Sequence, residues 1–136
     1  MDQVSAAGAE AVATYFLQLY PYVYATGDLI EWKALSHVEC VFCKSVIDNV
    51  GALHAKGGSD QGSEITFRSI QSREITAGYW YAVETALTEG PSVERDAAGQ
   101  IVSERKAPKN FNRTLAITFV GKWAIRELDV VETTTG

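Results

Sequence analysis

Several features that mark particular protein classes are scarce or missing in these 136 residues. No run of Lys and Arg could neutralise a line of phosphates, and because the net charge is −5, no nucleic-acid partner is predicted. No apolar run approaches the roughly 20 residues that a membrane-spanning helix requires. Met1–Gln3 is acidic where an export signal needs basic residues, and no apolar segment follows it. Two interpretations remain: a cytosolic protein, or a mature domain without its export signal.

Motifs of nucleophilic and phosphate chemistry are missing as well. Neither a Ser-His-Asp set nor a glycine-rich phosphate-binding loop can be assembled from the sequence. We therefore expect no cofactor, and the sequence by itself predicts no particular reaction.

Cysteine is rare, and the two cysteines form the motif Cys40-Val41-Phe42-Cys43. A thioredoxin-type redox site is not favoured, because the motif follows a predicted helix and no proline stands where the companion loop would need one. A zinc site with His37 and His54 is not favoured either. His54 would lie about 16 Å from Cys43 along a continuous helix, whereas zinc ligands lie within about 2.3 Å of the metal.

Two free thiols or a disulfide are left for Cys40 and Cys43. Residues i and i+3 in the first turn of a helix have Cα atoms roughly 5–6 Å apart, which is within the range that a disulfide spans. We therefore expect a disulfide, which would indicate an oxidising compartment.

The residues that are present predict one globular domain, 1–136. Its composition, 46% hydrophobic and 21% charged, is typical of a folded chain that buries a core. Helical spacing governs residues 5–58, alternation governs residues 63–132, and residues 133–136 are expected to be a frayed tail. No internal repeat or linker divides these parts.

Three helices are predicted in the first part. The first runs from about Ser5 to Ala25, with a kink at Pro21, and ends at Gly27, which takes the left-handed conformation without a Cβ penalty. A short second helix is capped by Asp28 with Glu31, and a third by Ser36 with Glu39. Gly57-Gly58 ends the third helix, whose apolar stripe is Cys43, Val46, Ile47, Val50 and Leu53.

Strands follow from Ser63. Ile65 and Phe67 alternate with polar neighbours, and Ile70 and Ile75 predict that this strand continues through a bulge or break. A second bulge is expected near Arg126-Glu127. Residues 91–108 are predicted to form a long polar hairpin, and Gly121-Lys122 a two-residue turn. This order predicts an α+β fold with three helices on one curved, mainly antiparallel sheet of four or five strands. Such a sheet closed by helices makes a cone, and a ligand would sit in its interior.

Inward carboxylates are the candidates for acid–base chemistry. Glu84 lies in a strand between Ala82 and Ala86, on a face where burial would raise its pKa, and Asp48 lies beside the stripe of the third helix. An edge-facing or paired carboxylate is the favoured interpretation of both.

Short segments of the helical part carry a resemblance to a known family. They are residues 22–28 (Tyr-Val-Tyr-Ala-Thr-Gly-Asp), Ala34-Leu35-Ser36, Glu39-Cys40, Cys43, Val46-Ile47-Asp48 and Gly57-Gly58. Together they resemble an uncharacterised family of actinobacterial lipoproteins, whose domain is similar to the nuclear-transport-factor-2-like or cystatin-like cone. The match spans about Tyr15 to Gly58, and in the strands only Gly121-Lys122-Trp123 supports it. The resemblance implies an exported protein, tethered to the cell membrane by a lipid anchor that lies outside this chain, with no assigned activity.

Three functions compete. The first is a non-catalytic, extracytoplasmic domain that binds a small apolar or amphipathic ligand or a cell-envelope partner, with Tyr20, Trp32, Tyr81 and Phe119 lining the interior. The second is an enzyme similar to ketosteroid isomerases or polyketide cyclases, which would use Glu84 with Tyr15 or Tyr20. The third is a homodimerisation module that uses the exposed face of the sheet.

Overall fold

The computed structural model describes residues 3–133 as an α+β fold, three helices followed by seven strands. The helices are α1 (Ala6–Thr26), α2 (Ile30–Leu35) and α3 (Val41–Ala55). The strands are β1 (Ser59–Gly62), β2 (Ile65–Thr76), β3 (Trp80–Glu89), β4 (Ser92–Arg95), β5 (Ile101–Arg105), β6 (Lys109–Phe119) and β7 (Trp123–Thr133). The predicted tail, 133–136, begins inside β7, and residues 134–136 lie outside the described residues.

The strands form two antiparallel sheets, so the prediction of a single sheet of four or five strands is wrong. One sheet has the order β2-β3-β6-β7 and the other the order β1-β4-β5. Between β1 and β2 the chain turns at Gly62 and Ser63, both of which have positive φ, 105° and 56°. A Cβ on Gly62 would lie 2.2 Å from the carbonyl oxygen of Pro91, so the close approach of β1 to β4 requires glycine. This turn separates the two sheets.

The first helix begins and ends on local signals. The side chain of Ser5 accepts a hydrogen bond from the Gly8 N–H at 3.1 Å. Gly27, at φ 77°, donates its N–H to the carbonyl of Val23 at 2.8 Å, which confirms the predicted stop. Pro21 lies inside the helix, which continues to Thr26.

The predicted cap of the third helix is wrong. Ser36 donates its hydroxyl to the carbonyl of Trp32 at 2.6 Å and belongs to the end of α2. Ser36 bridges to Ile125, and His37 donates its N–H to the Ile125 carbonyl, so this segment pairs with β7. Cys40 is the N-cap of α3 instead, and its sulfur accepts from the Cys43 N–H at 3.1 Å.

Both predicted bulges are present. The register of β2 against β3 shifts between Phe67 and Ser69. In β7, Glu127 pairs with Ala116 and Ile125 with Ile117, which leaves Arg126 as the extra residue. The turn before β7 is longer than predicted, because Phe119 pairs with Trp123 and three residues connect them.

The core lies between the helices and one face of the four-stranded sheet. Phe16 of α1 stacks on Trp32 of α2 with ring centroids 3.9 Å apart. The indole N–H of Trp32 donates to the carbonyl of Cys43 at 3.1 Å, which satisfies the one polar group of a side chain that is 0% exposed. The sheet contributes a row of fully buried side chains: Tyr81, Val83, Leu87, Leu115, Ile117 and Ile125. Burial of each of these large apolar side chains stabilises the fold by about 1.5–3 kcal/mol.

Candidate functional site

The two cysteines are joined, as the sequence predicted. The Cα atoms of Cys40 and Cys43 are 5.2 Å apart and the sulfur atoms 2.07 Å apart. Both residues are buried against the core, and the Cys43 carbonyl receives the Trp32 indole. The disulfide is therefore part of the junction between α2 and α3.

The structure brings some of the predicted pocket residues together: the rings of Tyr20 and Trp32 have centroids 6.4 Å apart, and the rings of Tyr81 and Phe119 both pack against Trp123. Trp32 and Tyr81 are fully buried in the core, and the Tyr81 hydroxyl donates to the Glu74 carboxylate at 3.0 Å. Phe119 packs edge-on against Trp123, with centroids 5.2 Å apart. Tyr15 is half-buried on α1, and a hydrogen bond to Glu31 raises its pKa.

Glu84 lies on the opposite side of the four-stranded sheet from Tyr20. It is exposed on the outer face of β3, between Gln71 of β2 and Thr114 of β6. Side chains alternate along a strand, and Tyr81, Val83 and Thr85 occupy the inner face. The structure therefore does not bring Glu84 together with Tyr15 or Tyr20. The predicted homodimer would use this same outer face, and the dimer stays a prediction.

A cleft of about 220 Å³ lies where the second half of α1 meets both sheets. Tyr20 is the one predicted pocket residue in its wall. The wall combines aromatic rings from α1 and β6 with charged side chains from four strands, β1, β3, β5 and β6. Its residues are Tyr20, Pro21, Tyr24, Asp60, Gly62, Ser63, Glu89, Ser92, Arg105, Lys109 and Phe111.

An ion pair lies at the inner end of this cleft. Glu89, 5% exposed, accepts a hydrogen bond from Arg113, which is 4% exposed. The Arg113 guanidinium carbon lies 5.4 Å from the ring centroid of Tyr20, 5.5 Å from that of Phe42 and 5.0 Å from that of Phe111. This is cation–π distance. Nε and Nη1 of Arg113 have no hydrogen-bond partner among the described residues.

Arg105 approaches the same carboxylate from the three-stranded sheet. Its Nη2 lies 3.8 Å from Oε1 of Glu89, and it donates to the carbonyl of Gly90 at 3.0 Å and the hydroxyl of Ser63 at 3.3 Å. Its side chain is 22% exposed, so this guanidinium borders the open part of the cleft. Arg105 therefore links the small sheet to the end of β3.

Two titratable side chains of the wall have perturbed pKa values. Burial is the main cause that raises the pKa of Tyr20, and the neighbouring Tyr24 and Glu89 raise it further, so its hydroxyl keeps its proton at neutral pH. Burial also raises the pKa of Asp60, with the charge of Glu94 adding to it and Arg105 opposing it. At neutral pH the wall therefore offers a phenolic O–H donor beside arginine and lysine.

Glu89 and Arg113 were missed by the sequence reasoning, although a signal for both exists. On β3, Glu89 continues the alternate positions that face inward, which are Tyr81, Val83 and Leu87. On β6, Arg113 continues the inward positions of Leu115 and Ile117 in the same way. Continuing the inward period of two would have placed both charges inside.

Among residues 3–133, no group of three or more His, Cys, Asp or Glu side chains is close enough to hold a metal ion. None of the helices in that range is long and apolar enough to span a bilayer.

Comparisons with known proteins place the fold and the family. The crystal structure of the intermembrane space region of the chloroplast protein ARC6 is similar, with a TM-score of 0.70 and 15% identity, over 96% of this chain and 99% of that one. At that identity the likeness shows the fold alone. No curated protein matches the sequence. A family model described as "Family of unknown function (DUF6318)" matches residues 1–129, and the chain therefore belongs to the DUF6318 family.

Proposed function

We propose that this chain is a non-catalytic, extracytoplasmic domain of the nuclear-transport-factor-2-like cone type, and that it binds a small amphipathic ligand. The observation that carries the proposal is the cleft, where the rings of Tyr20, Tyr24 and Phe111 stand beside ionised side chains. Ligand sites typically combine apolar walls with a few placed polar groups. A ligand with one apolar and one polar end suits this wall.

Binding is better supported than catalysis by the way Glu89 is held. Its carboxylate accepts a hydrogen bond from Arg113 and faces Arg105, so its oxygens are already engaged by cations. A general base needs a carboxylate within hydrogen-bond reach of the proton it removes. Glu84, the carboxylate of the enzyme hypothesis, stands on the other face of the sheet.

A location outside the cytoplasm belongs to the same proposal. The disulfide between Cys40 and Cys43 supports it, because disulfides persist in oxidising compartments. The similar ARC6 region is named for an intermembrane space. We also propose the lipoprotein anchor and the actinobacterial origin that the resemblance implies. Mass spectrometry of the native protein recovered from membranes tests whether a lipid is attached.

The binding proposal is tested by titrating the protein with 3-phenylpropionate and 3-phenylpropanamide, which fit the cleft in size. Amide chemical shifts should change first in α1 near Tyr20 and Tyr24 and near Glu89 and Phe111. The variant Ser92→Phe should abolish these changes, because it fills the cleft. Ser103→Phe is the matched control, since Ser103 is exposed in the same small sheet and does not line the cleft. Shifts that are absent for both probes, or unchanged in Ser92→Phe, would contradict the proposal.

A further inference from the structure

We propose that one end of the four-stranded sheet docks on the surface of a lipid bilayer. The docking surface, called the tip surface, consists of residues 75–80, where β2 turns into β3, and residues 119–124, where β6 turns into β7. It lies at the end of the sheet opposite the cleft, because Trp80 and Glu89 are the two ends of β3. The proposal therefore depends neither on the cleft ligand nor on the proposed lipid anchor.

The two turns lie side by side and face open space. The N–H of Phe119 donates to the carbonyl of Tyr79 at 2.9 Å, which joins the turns at their base. Gly78 and Gly121 have positive φ, 67° and 71°. Apart from its chain neighbours, a Cβ on either glycine would meet no atom of residues 3–133 within 4 Å. The outer ends of both turns are therefore open to a partner.

Apolar side chains occupy these turns and are open to solvent. Val120 is 71% exposed, and Ile75 and Tyr79 are exposed as well. The half-buried ring of Trp80 lies beside that of Tyr79, with the centroids 5.9 Å apart. Tyrosine and tryptophan concentrate where a bilayer meets water, because each ring is apolar and carries one polar group. The tip surface therefore combines aliphatic side chains that suit lipid tails with rings that suit the headgroup level.

The charge at the outer end of the turns suits an anionic bilayer. Lys122 is the only charged residue in the two segments, although the whole chain has a net charge of −5. Glu74 directly precedes the first segment. Its carboxylate accepts hydrogen bonds from the Gly78 N–H and from the buried Tyr81 hydroxyl, both at 3.0 Å, and so points back to the core side of the sheet. A lysine next to an anionic membrane surface strengthens binding by electrostatic attraction.

The next charges along the sheet come in pairs of opposite sign. The Arg126 guanidinium lies over the Trp80 ring and is 3.6 Å from the Glu39 carboxylate. One row further from the turns, the outer face carries Arg73 on β2 and Glu127 on β7. These pairs add no net charge, so they do not offset the attraction at the outer end of the turns.

A bilayer fits this surface better than a second protein does. A stable protein interface takes about 20–30 residues from each side, whereas the exposed apolar side chains of the tip surface are Ile75, Tyr79 and Val120. Two projecting turns also offer no groove for a peptide. A bilayer needs no matching surface, because its interface accepts the apolar side chains that reach it.

The test mixes the protein with vesicles of phosphatidylcholine alone and with vesicles of equal parts of phosphatidylcholine and phosphatidylglycerol. Cosedimentation measures the partition coefficient, which should be larger for the mixed vesicles and fall towards the other value as NaCl is added. A nitroxide-labelled lipid should broaden the amide signals of Gly78 and Gly121 first. Gly99 is the internal control, because it also has positive φ and an open side but lies in the turn between β4 and β5.

Two variants assign the binding to side chains, each with a matched control. Val120→Asp should lower the partition coefficient on both vesicles by at least about tenfold, since a valine loses its burial and a charge takes its place. Val102→Asp, at a side chain that is 59% exposed on β5, should leave it unchanged. Lys122→Gln should lower binding to the mixed vesicles alone, by about fivefold. Lys56→Gln removes the same charge from the exposed end of α3 and should have no effect.

Each remaining outcome overturns the proposal. The wild type would sediment with neither kind of vesicle, or Val102→Asp would lose as much binding as Val120→Asp, or Gly99 would broaden as strongly as Gly121. Sedimentation of the protein without lipid tests the second copy: a dimer that Val120→Asp dissociates would assign the turns to self-association. The titrations of the cleft are separate measurements, so a failure here is distinguishable from a failure of the proposed function.

Discussion

The interior of this protein has two regions built on the same pair of strands, and they differ in what fills them. Around Phe16 and Trp32 the inner faces of β3 and β6 carry Tyr81, Val83, Leu115 and Ile117, and the rings of Phe16 and Trp32 are in contact. Two positions beyond Leu87 and Leu115, the same faces carry Glu89 and Arg113, and the cleft begins there. Aromatic residues therefore do not by themselves mark the cavity, since Phe16, Trp32 and Tyr81 fill the core.

The register of β3 against β6 explains how the charged region is assembled. Thr85 pairs with Arg113 and Glu89 pairs with Lys109, so the two charged residues of the pair start four positions apart along the sheet. The side chains of Arg113 and Glu89 together bridge this distance, and the Arg113 guanidinium lies over the ring of Phe111. The charged region thus depends on a single buried ion pair, whereas the apolar region depends on many small contacts. The following experiments test that difference.

The largest effect is expected from Arg113→Met. It leaves the Glu89 carboxylate, 5% exposed, without its buried partner, and breaking a buried pair in this way costs about 3–5 kcal/mol of unfolding free energy. Urea denaturation followed by circular dichroism measures it. The double variant Arg113→Met with Glu89→Leu should recover most of the loss, because an apolar replacement of both partners is often neutral. A single-variant loss below about 1 kcal/mol would mean that the pair is solvated.

A smaller loss is expected in the apolar region from Trp32→Phe. The substitution removes the indole N–H that the buried Cys43 carbonyl accepts and part of the indole volume, a change worth about 1–3 kcal/mol. Trp80→Phe is the matched control, because Trp80 is half-exposed beneath Arg126 on the outer face and should lose less than about 1 kcal/mol. Equal losses for the two variants would show that burial and the hydrogen bond of Trp32 do not matter.

Loss of the disulfide should cost about 2 kcal/mol at most. Cys40 and Cys43 are three positions apart, and closing so short a loop restricts the unfolded chain only slightly. Unfolding is compared with and without dithiothreitol, and the variant Cys40→Ser with Cys43→Ser should show no response to the reductant. A loss of all structure on reduction would make the disulfide a requirement for folding.

The smallest effect is expected from Asp60→Asn, and it depends on pH. Folding raises the pKa of Asp60, so the protonated form of this side chain stabilises the folded state. This stabilisation is fully present below the pKa of the unfolded chain and is lost as the pH rises through the pKa of the folded protein. Asp60→Asn should therefore raise the melting temperature at pH 7 and leave it unchanged near pH 3. Because Asp60 is partly exposed, the gain should stay below about 1 kcal/mol.

Asp48→Asn is the control for this pH dependence. Asp48 is exposed and pairs with Lys44 at 3.3 Å on α3, so its loss should lower stability at pH 7 by a few tenths of a kcal/mol. A gain of similar size in both variants would show that net charge, and not the environment of Asp60, is responsible.

The parts of the fold that could be predicted depend on neighbouring residues. Residues that lie within a few positions of one another in the sequence predict four features. These are the helix end at Gly27, the disulfide, the bulge at Arg126 and the two faces of β3. The Ser36–Glu39 cap failed for the opposite reason. Ser36 and His37 pair with Ile125, which lies almost ninety positions further along the chain. The residues around Ser36 contain no pattern that predicts this partner.

The sequence by itself determined three helices followed by antiparallel strands, one sulfur bridge, and which residues share each strand face. Tertiary structure decided the rest: the second sheet, in which Ser59 of β1 meets Arg95 of β4, and the charged cleft beside it. The physical reason is that a period of two sorts side chains into two faces without saying which face will be covered. The packing of α1 and the three-stranded sheet determines which face is covered. As a result, Glu89 lies inside and Glu84 outside on the same strand.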